Sequence, residues 1–178
     1  MYVCTGTINY LYKSLQLPYE LCGNLFVTER SCLEPAHITK GSTDQGRGTC
    51  THKGYTPYIF HTHPRTSMSF PSREDIGKVL KRETIKYSLI FTEWGIWNLS
   101  ATSHNTDESV MKSLYKTIEE QRMENDMYYI SKHPTKYNQN QQDEMIQKYI
   151  RIMMKFLESF GFTMTFTRWT LNTRYKIH

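Results

Sequence analysis

Apolar positions along the chain follow two rhythms. Ile8, Leu11, Tyr12, Leu15 and Leu17 recur at helical spacing and predict a short amphipathic helix or turn that Pro18 stops. Leu21 to Val27 reads as a buried strand, with Gly23 where a backbone or ligand approaches closely, and Glu34 to Thr39 as the next strand. Tyr55 to Phe60 leads into a third strand that runs to His63, and Pro57 places its beginning at a strand start or an edge. Ile76, Val79 and Leu80 return to helical spacing and predict a helix over 73–86. Tyr87 to Thr92 is a nearly continuous apolar strand, turned by Glu93-Trp94-Gly95 into a partner from Ile96 to Leu99. Trp94 and Trp97 read as packing residues.

The last third changes character. Val110, Leu114, Ile118, Met127 and Ile130 form an intermittent stripe on a predicted helix over 106–131, broken by His133-Pro134. Its methionines fit either a core contact or an adaptable surface for a protein partner. A second helix is predicted over 140–160, with Met145, Tyr149, Ile152, Met153, Phe156 and Phe160 on one face and Gly161 as its stop. Phe162, Met164 and Phe166 then alternate with threonines, as in a half-buried strand. This order of elements predicts an α/β fold in one domain over 1–178, long enough to bury one core.

Composition narrows the setting. No apolar run reaches membrane-spanning length and the N-terminus lacks a signal-peptide layout, so the expectation is a cytoplasmic, intracellular protein. Cys4, Cys22, Cys32 and Cys50 are too few and too irregular to read as a disulfide framework, so reduced thiols are expected. Cys32, His37, Cys50 and His52 offer donors for a second, structural zinc, but their spacings match no finger or ribbon; ordinary buried or loop residues are the other reading. A net charge of +5 favours acidic surfaces without marking a nucleic-acid binder, and Lys78, Lys81, Arg82 and Lys86 read as a solvated helix face. The stretch from Gly41 to Gly48 is a polar surface loop without a phosphate-binding fingerprint.

The chemistry concentrates between Phe60 and Asp75. In a strand, His61 and His63 leave the same face. Pro71 ends the following loop, Ser72 is placed to cap a helix, and Asp75 falls in its first turn, where its carboxylate can turn back toward the strand end. Two imidazoles and a carboxylate are a ligand set for zinc with a fourth position open. Each half also has an ordinary reading. His-x-His pairs arise by chance in a chain with seven histidines, and Ser-x-x-Asp before an apolar run is a capping box.

His61-Thr62-His63-Pro64 and Ser72-Arg73-Glu74-Asp75, with Glu20-Leu21-Cys22-Gly23 upstream, resemble the signature of the JAMM (MPN+/JAB) metalloprotease family. Phe70 to Ile76 also looks like the same segment of the bacterial RadC family. The resemblance covers about residues 8 to 100, and eight residues stand between His63 and Ser72, one more than the family's usual spacing. It implies a JAB/MPN-like mixed β-sheet flanked by helices, to which 101–178 adds a helical C-terminal extension and a terminal strand. It further implies Zn2+ held by His61, His63 and Asp75, Glu20 as the general base that holds and deprotonates the nucleophilic water, and Ser72 as an oxyanion donor. The substrate it implies is an isopeptide conjugate of ubiquitin or a ubiquitin-like protein. A non-catalytic MPN scaffold, or a RadC-like role linked to nucleic acid, are the alternatives it leaves open.

Overall fold

The computed structural model describes residues 1–41, 50, 52, 56–65, 69–127, 130, 133–169 and 175–177. Eight strands form one mixed sheet: β1 (Tyr2–Val3), β2 (Leu21–Val27), β3 (Cys32–Lys40), β4 (Tyr58–Thr62), β5 (Tyr87–Phe91), β6 (Gly95–Ala101), β7 (Phe162–Arg168) and β8 (Tyr175–Lys176). Their order is β7-β6-β5-β4-β2-β3-β1-β8. Four longer helices accompany them: α1 (Thr5–Ser14), α2 (Arg73–Lys81), α3 (Glu108–Glu124) and α4 (Gln139–Leu157). No described helix is long and apolar enough to cross a membrane. The expected α/β class holds in this coarse form.

β4 and β5 run parallel, joined by the crossover through α2, whereas β2 lies antiparallel to both β3 and β4. β4 is therefore central, and Pro57 precedes a strand start rather than lying on an edge; its carbonyl accepts the N–H groups of Lys86 and Tyr87, each at 2.9 Å. Alternate residues of β4 serve opposite faces of the sheet. Phe60 packs with Leu11, Leu15, Leu25 and Phe91 on the α1 side, and Ile59 with Ile76, Val79, Trp97 and Tyr149 on the side covered by α2, α3 and α4. His61, two residues after Ile59, faces the α2 side.

Gly23 is the close approach its position suggested. A Cβ there would stand 2.7 Å from the Phe60 ring and 3.0 Å from the Ala36 carbonyl oxygen. Opposite it, the register slips so that His37 and Ile38 of β3 face one residue of β2, a bulge with His37 in the left-handed region at φ 52.

Several boundaries differ from expectation. α2 ends at Lys81, because Arg82 turns extended. α3 stops at Glu124, where Asn125 folds its side chain back onto the Gln121 carbonyl and Asp126 takes φ 57, an Asn-Asp helix stop. Leu114, Ile118, Met127 and Ile130 of the stripe are nevertheless buried in the core, whereas Val110 is exposed and its neighbour Met111 packs inward instead; Met123 is exposed. On α4 the fully buried line is Ile146, Tyr149, Met153 and Leu157, which shares Tyr149 and Met153 with the expected face and is rotated from it by about a sixth of a turn. Trp94 and Trp97 are core residues, and Lys81, Arg82 and Lys86 are solvated. β1 and β8, two residues each, are too short to leave a periodic signal. The polar loop expected over Gly41–Gly48 lies, apart from Gly41, outside the described residues.

The cysteines overturn the expectation of reduced thiols. Cys4 is joined to Cys32 and Cys22 to Cys50. This also disperses the structural zinc set considered from sequence. Cys32 and Cys50 belong to different disulfides, His37 lies edge-on to Phe26, and His52 sits 3.2 Å from the Phe60 carbonyl.

Candidate metal centre

Strand pairing aims the two histidines. His61 lies between Cys22 of β2 and Ile90 of β5 in the register. His63 is one residue past β4 but remains tied to β5, since its N–H donates to the Phe91 carbonyl at 2.8 Å. Between them Thr62 points to the other face, and its hydroxyl oxygen accepts the N–H of Leu21 at 2.8 Å. Both rings are buried, at 1% and 3% exposure.

Asp75 arrives from the start of α2. Ser72 is the N-cap: its Oγ accepts the Asp75 N–H at 3.1 Å, and Asp75 Oδ2 accepts both the Ser72 N–H at 2.8 Å and the Ser72 hydroxyl at 2.7 Å. The other oxygen, Oδ1, lies 3.1 Å from His61 Nε2, and Oδ2 lies 3.5 Å from His63 Nε2. The capping box and the turned-back carboxylate, alternatives in the sequence, are one arrangement in three dimensions. Burial pushes the Asp75 carboxyl up, but the His61 and His63 imidazoles beside it outweigh burial and hold it well below the usual carboxylate range.

The donor set fits a small divalent cation. His61 Nε2 and His63 Nε2 are 3.1 Å apart, and each faces a different oxygen of Asp75, His61 Nε2 to Oδ1 at 3.1 Å and His63 Nε2 to Oδ2 at 3.5 Å. Tetrahedral zinc with nitrogen and oxygen ligands at about 2.0–2.1 Å has edges of about 3.3–3.4 Å. With the imidazoles neutral and unprotonated at Nε2, two nitrogen lone pairs and a carboxylate converge in a buried space, and a cation satisfies all of them together. These donors are one of three groups of histidine, cysteine and carboxylate atoms lying within 4.8 Å of one another among the described residues. His61 Nδ1 has no hydrogen-bond partner among the described residues, and strand pairing on both sides orients that ring.

Glu20 stands at the entrance to β2. Continuing the β2–β4 register by two residues sets it opposite His63, on the face shared by Cys22 and His61. Its carboxylate belongs to a neighbouring cluster with Cys22 and Cys50, Oε2 lying 3.4 Å from Cys50 Sγ. The structure thus gathers His61, His63, Asp75 and Ser72 in one contact network and places Glu20 beside it, half-buried.

Sequence reasoning missed the supports of this network. Trp97 Nε1–H donates to the Ser69 carbonyl at 2.8 Å and the Tyr149 hydroxyl donates to the Pro71 carbonyl at 2.6 Å, so β6 and α4 hold the segment that delivers Ser72. Phe70 fills the space between Trp94, Trp97 and Tyr149. The one available signal was the presence of a tyrosine and tryptophans, amphipathic residues that need a partner when buried. Comparison with protein families, curated proteins and solved structures gives no match.

Proposed function

We propose that the chain is a zinc-dependent isopeptidase or peptidase of the JAMM type, on a JAB/MPN-like fold, acting on conjugates of ubiquitin or a ubiquitin-like protein. The observation that carries this reading is the buried convergence of His61 Nε2, His63 Nε2 and the two Asp75 carboxylate oxygens, with contacts of 3.1–3.5 Å between the three residues.

Zinc held there supplies Lewis acidity, bringing the pKa of a water toward about 7 and polarising a carbonyl. The chain supplies the rest. His61 and His63 present neutral nitrogen donors from a strand end that neighbouring strands hold on both sides. Asp75 contributes the negative charge and stays ionised throughout the neutral range. Glu20 accepts the proton of the attacking water and returns it to the leaving amine. Ser72 fixes Asp75 through its hydroxyl; to donate to an oxyanion, that hydroxyl turns away from Asp75 Oδ2, exchanging one acceptor for another.

The test is metal analysis of the purified chain with a panel of ubiquitin and ubiquitin-like conjugates. Wild type is expected to carry about one zinc at the histidine site, and Glu20→Gln to keep that zinc while losing about 10²–10⁴-fold in turnover. Equal cleavage by wild type and Glu20→Gln removes Glu20 from the mechanism. A chain that binds no zinc at micromolar concentration is the non-catalytic scaffold instead.

A further inference from the structure

Beside the histidine site lies a second cluster of donors for which the proposed reaction needs only the carboxylate. Glu20, Cys22 and Cys50 bring one carboxylate oxygen and two sulfurs within 4.8 Å of one another. Cys22 is fully buried on β2, directly opposite His61, and Cys50 and Glu20 are half-buried. Two sulfurs and a carboxylate are ligands that zinc accepts. In the disulfide the sulfurs carry no negative charge and no proton, so the 3.4 Å contact between Cys50 Sγ and Glu20 Oε2 is not a hydrogen bond, and Glu20 keeps its lone pairs.

We propose that Glu20, Cys22 and Cys50 form a redox-gated cation site, closed while the Cys22–Cys50 disulfide is intact and opened by a dithiol to take a thiophilic divalent cation. The electron balance is that of thiol–disulfide exchange. The S–S bond of the chain breaks, an S–S bond forms within the dithiol, and the two dithiol protons pass to Cys22 and Cys50. Cation binding then releases both protons to solvent, leaving two thiolates and the Glu20 carboxylate around a double positive charge.

A buried thiol in the place of Cys22 stays protonated unless another positive charge replaces the proton, and a divalent cation shared with Cys50 and Glu20 supplies that charge. The trio of Cys4, Cys32 and Glu34 has the same donor types, but its carboxylate is exposed to water. The consequence for the proposed reaction, which alone rests on the peptidase reading, is that a cation on Glu20 occupies the lone pair meant for the proton. Reducing conditions with excess zinc then act as an off state.

Cobalt absorption tests the site without reference to cleavage. The full chain is reduced with dithiothreitol, freed of it under argon and titrated with Co2+, in wild type and in Cys32→Ser, which removes the other disulfide. Reduced Cys32→Ser is expected to develop the near-ultraviolet thiolate-to-cobalt absorption, its oxidised form to lack it, and Cys32→Ser/Cys50→Ser to lack it in both states. If Cys32→Ser does not fold, reduced wild type against reduced Cys50→Ser gives the same difference. Absorption missing from the reduced chain, or equal in the oxidised chain, overturns the proposal. Absorption that disappears in His61→Ala also overturns it, because the thiolates would then share the histidine cation. Retained absorption in a chain without peptidase activity counts against the peptidase reading alone.

Discussion

The hydroxyl of Tyr149, in the middle of α4, donates to the carbonyl of Pro71, the residue before the cap of α2, at 2.6 Å. A side chain from the C-terminal helices therefore fixes the entry of the segment that carries Ser72 and Asp75. Burial holds the phenol proton in place by raising its pKa, so the bond persists across the working pH range. Tyr149→Phe keeps the packing on Phe70 and Trp97 but leaves the Pro71 carbonyl unsatisfied, and is expected to cost about 1–3 kcal/mol. Urea denaturation checks the cost. Zinc affinity measured alongside is expected to fall too, and unchanged values of both would show that the bond carries nothing.

Ser72 separates cap from ligand support. Ser72→Ala removes the oxygen that accepts the Asp75 N–H and the hydroxyl that steadies Asp75 Oδ2. The expected losses are about 1 kcal/mol of stability and about tenfold in zinc affinity. Ser72→Thr keeps both contacts and is expected to recover most of each, as read by thermal melts and competitive zinc titration.

Acid should destabilise the metal-free chain in two stages. Burial, with Lys78, His61 and Arg82 nearby, lowers the His52 pKa from 6.5 to about 4. The unfolded chain thus binds a proton that the folded chain refuses between those values, and stability present above pH 6.5 declines as pH falls toward 4. Asp75 is also depressed, below its ordinary 3.8, so its contribution is present above that pH and is lost further down. With a chelator present, His52→Gln is expected to flatten the upper limb and Asp75→Asn the lower one. Urea midpoints across pH give the comparison; an upper limb as steep in His52→Gln as in wild type would rule out His52 as its source.

Gly77 is the contact point between α2 and α3. A Cβ on it would overlap the hydroxyl and ring of Tyr115. Gly77→Ala is expected to destabilise by about 1–3 kcal/mol despite alanine's better helix propensity. Combining it with Tyr115→Leu should recover part of the loss, and the coupling in a double-mutant cycle measures how closely the two helices are fitted.

The elements legible in the sequence are those with a long period or a strong stop. β2 runs from Leu21 to Val27 as its apolar run does, and Thr163, Thr165 and Thr167 face water while Phe162 and Met164 are buried. His61, His63, Ser72 and Asp75 could be grouped because strand parity and helix capping are local rules acting within fifteen residues. What depends on distant pairing was illegible. Cys4 and Cys32, and Cys22 and Cys50, lie 28 residues apart; β1–β3 pairing brings the first pair together, and the second joins β2 to the segment before β4, neither of which local sequence rules foretell. Tyr149 and Pro71, 78 residues apart, meet for the same kind of reason, through a helix whose buried line had to be seen before its tyrosine could be assigned a partner.

Asp75 starts a helix with one oxygen and faces His61 with the other. Loss of the Asp75 carboxylate therefore removes its half of the cap of α2, the contacts to the Ser72 N–H and hydroxyl, together with the group that faces His61. On the proposed metal reading, a descendant that gave up the ion while remaining well folded is expected to have lost a histidine first and to have kept the aspartate as a helix cap.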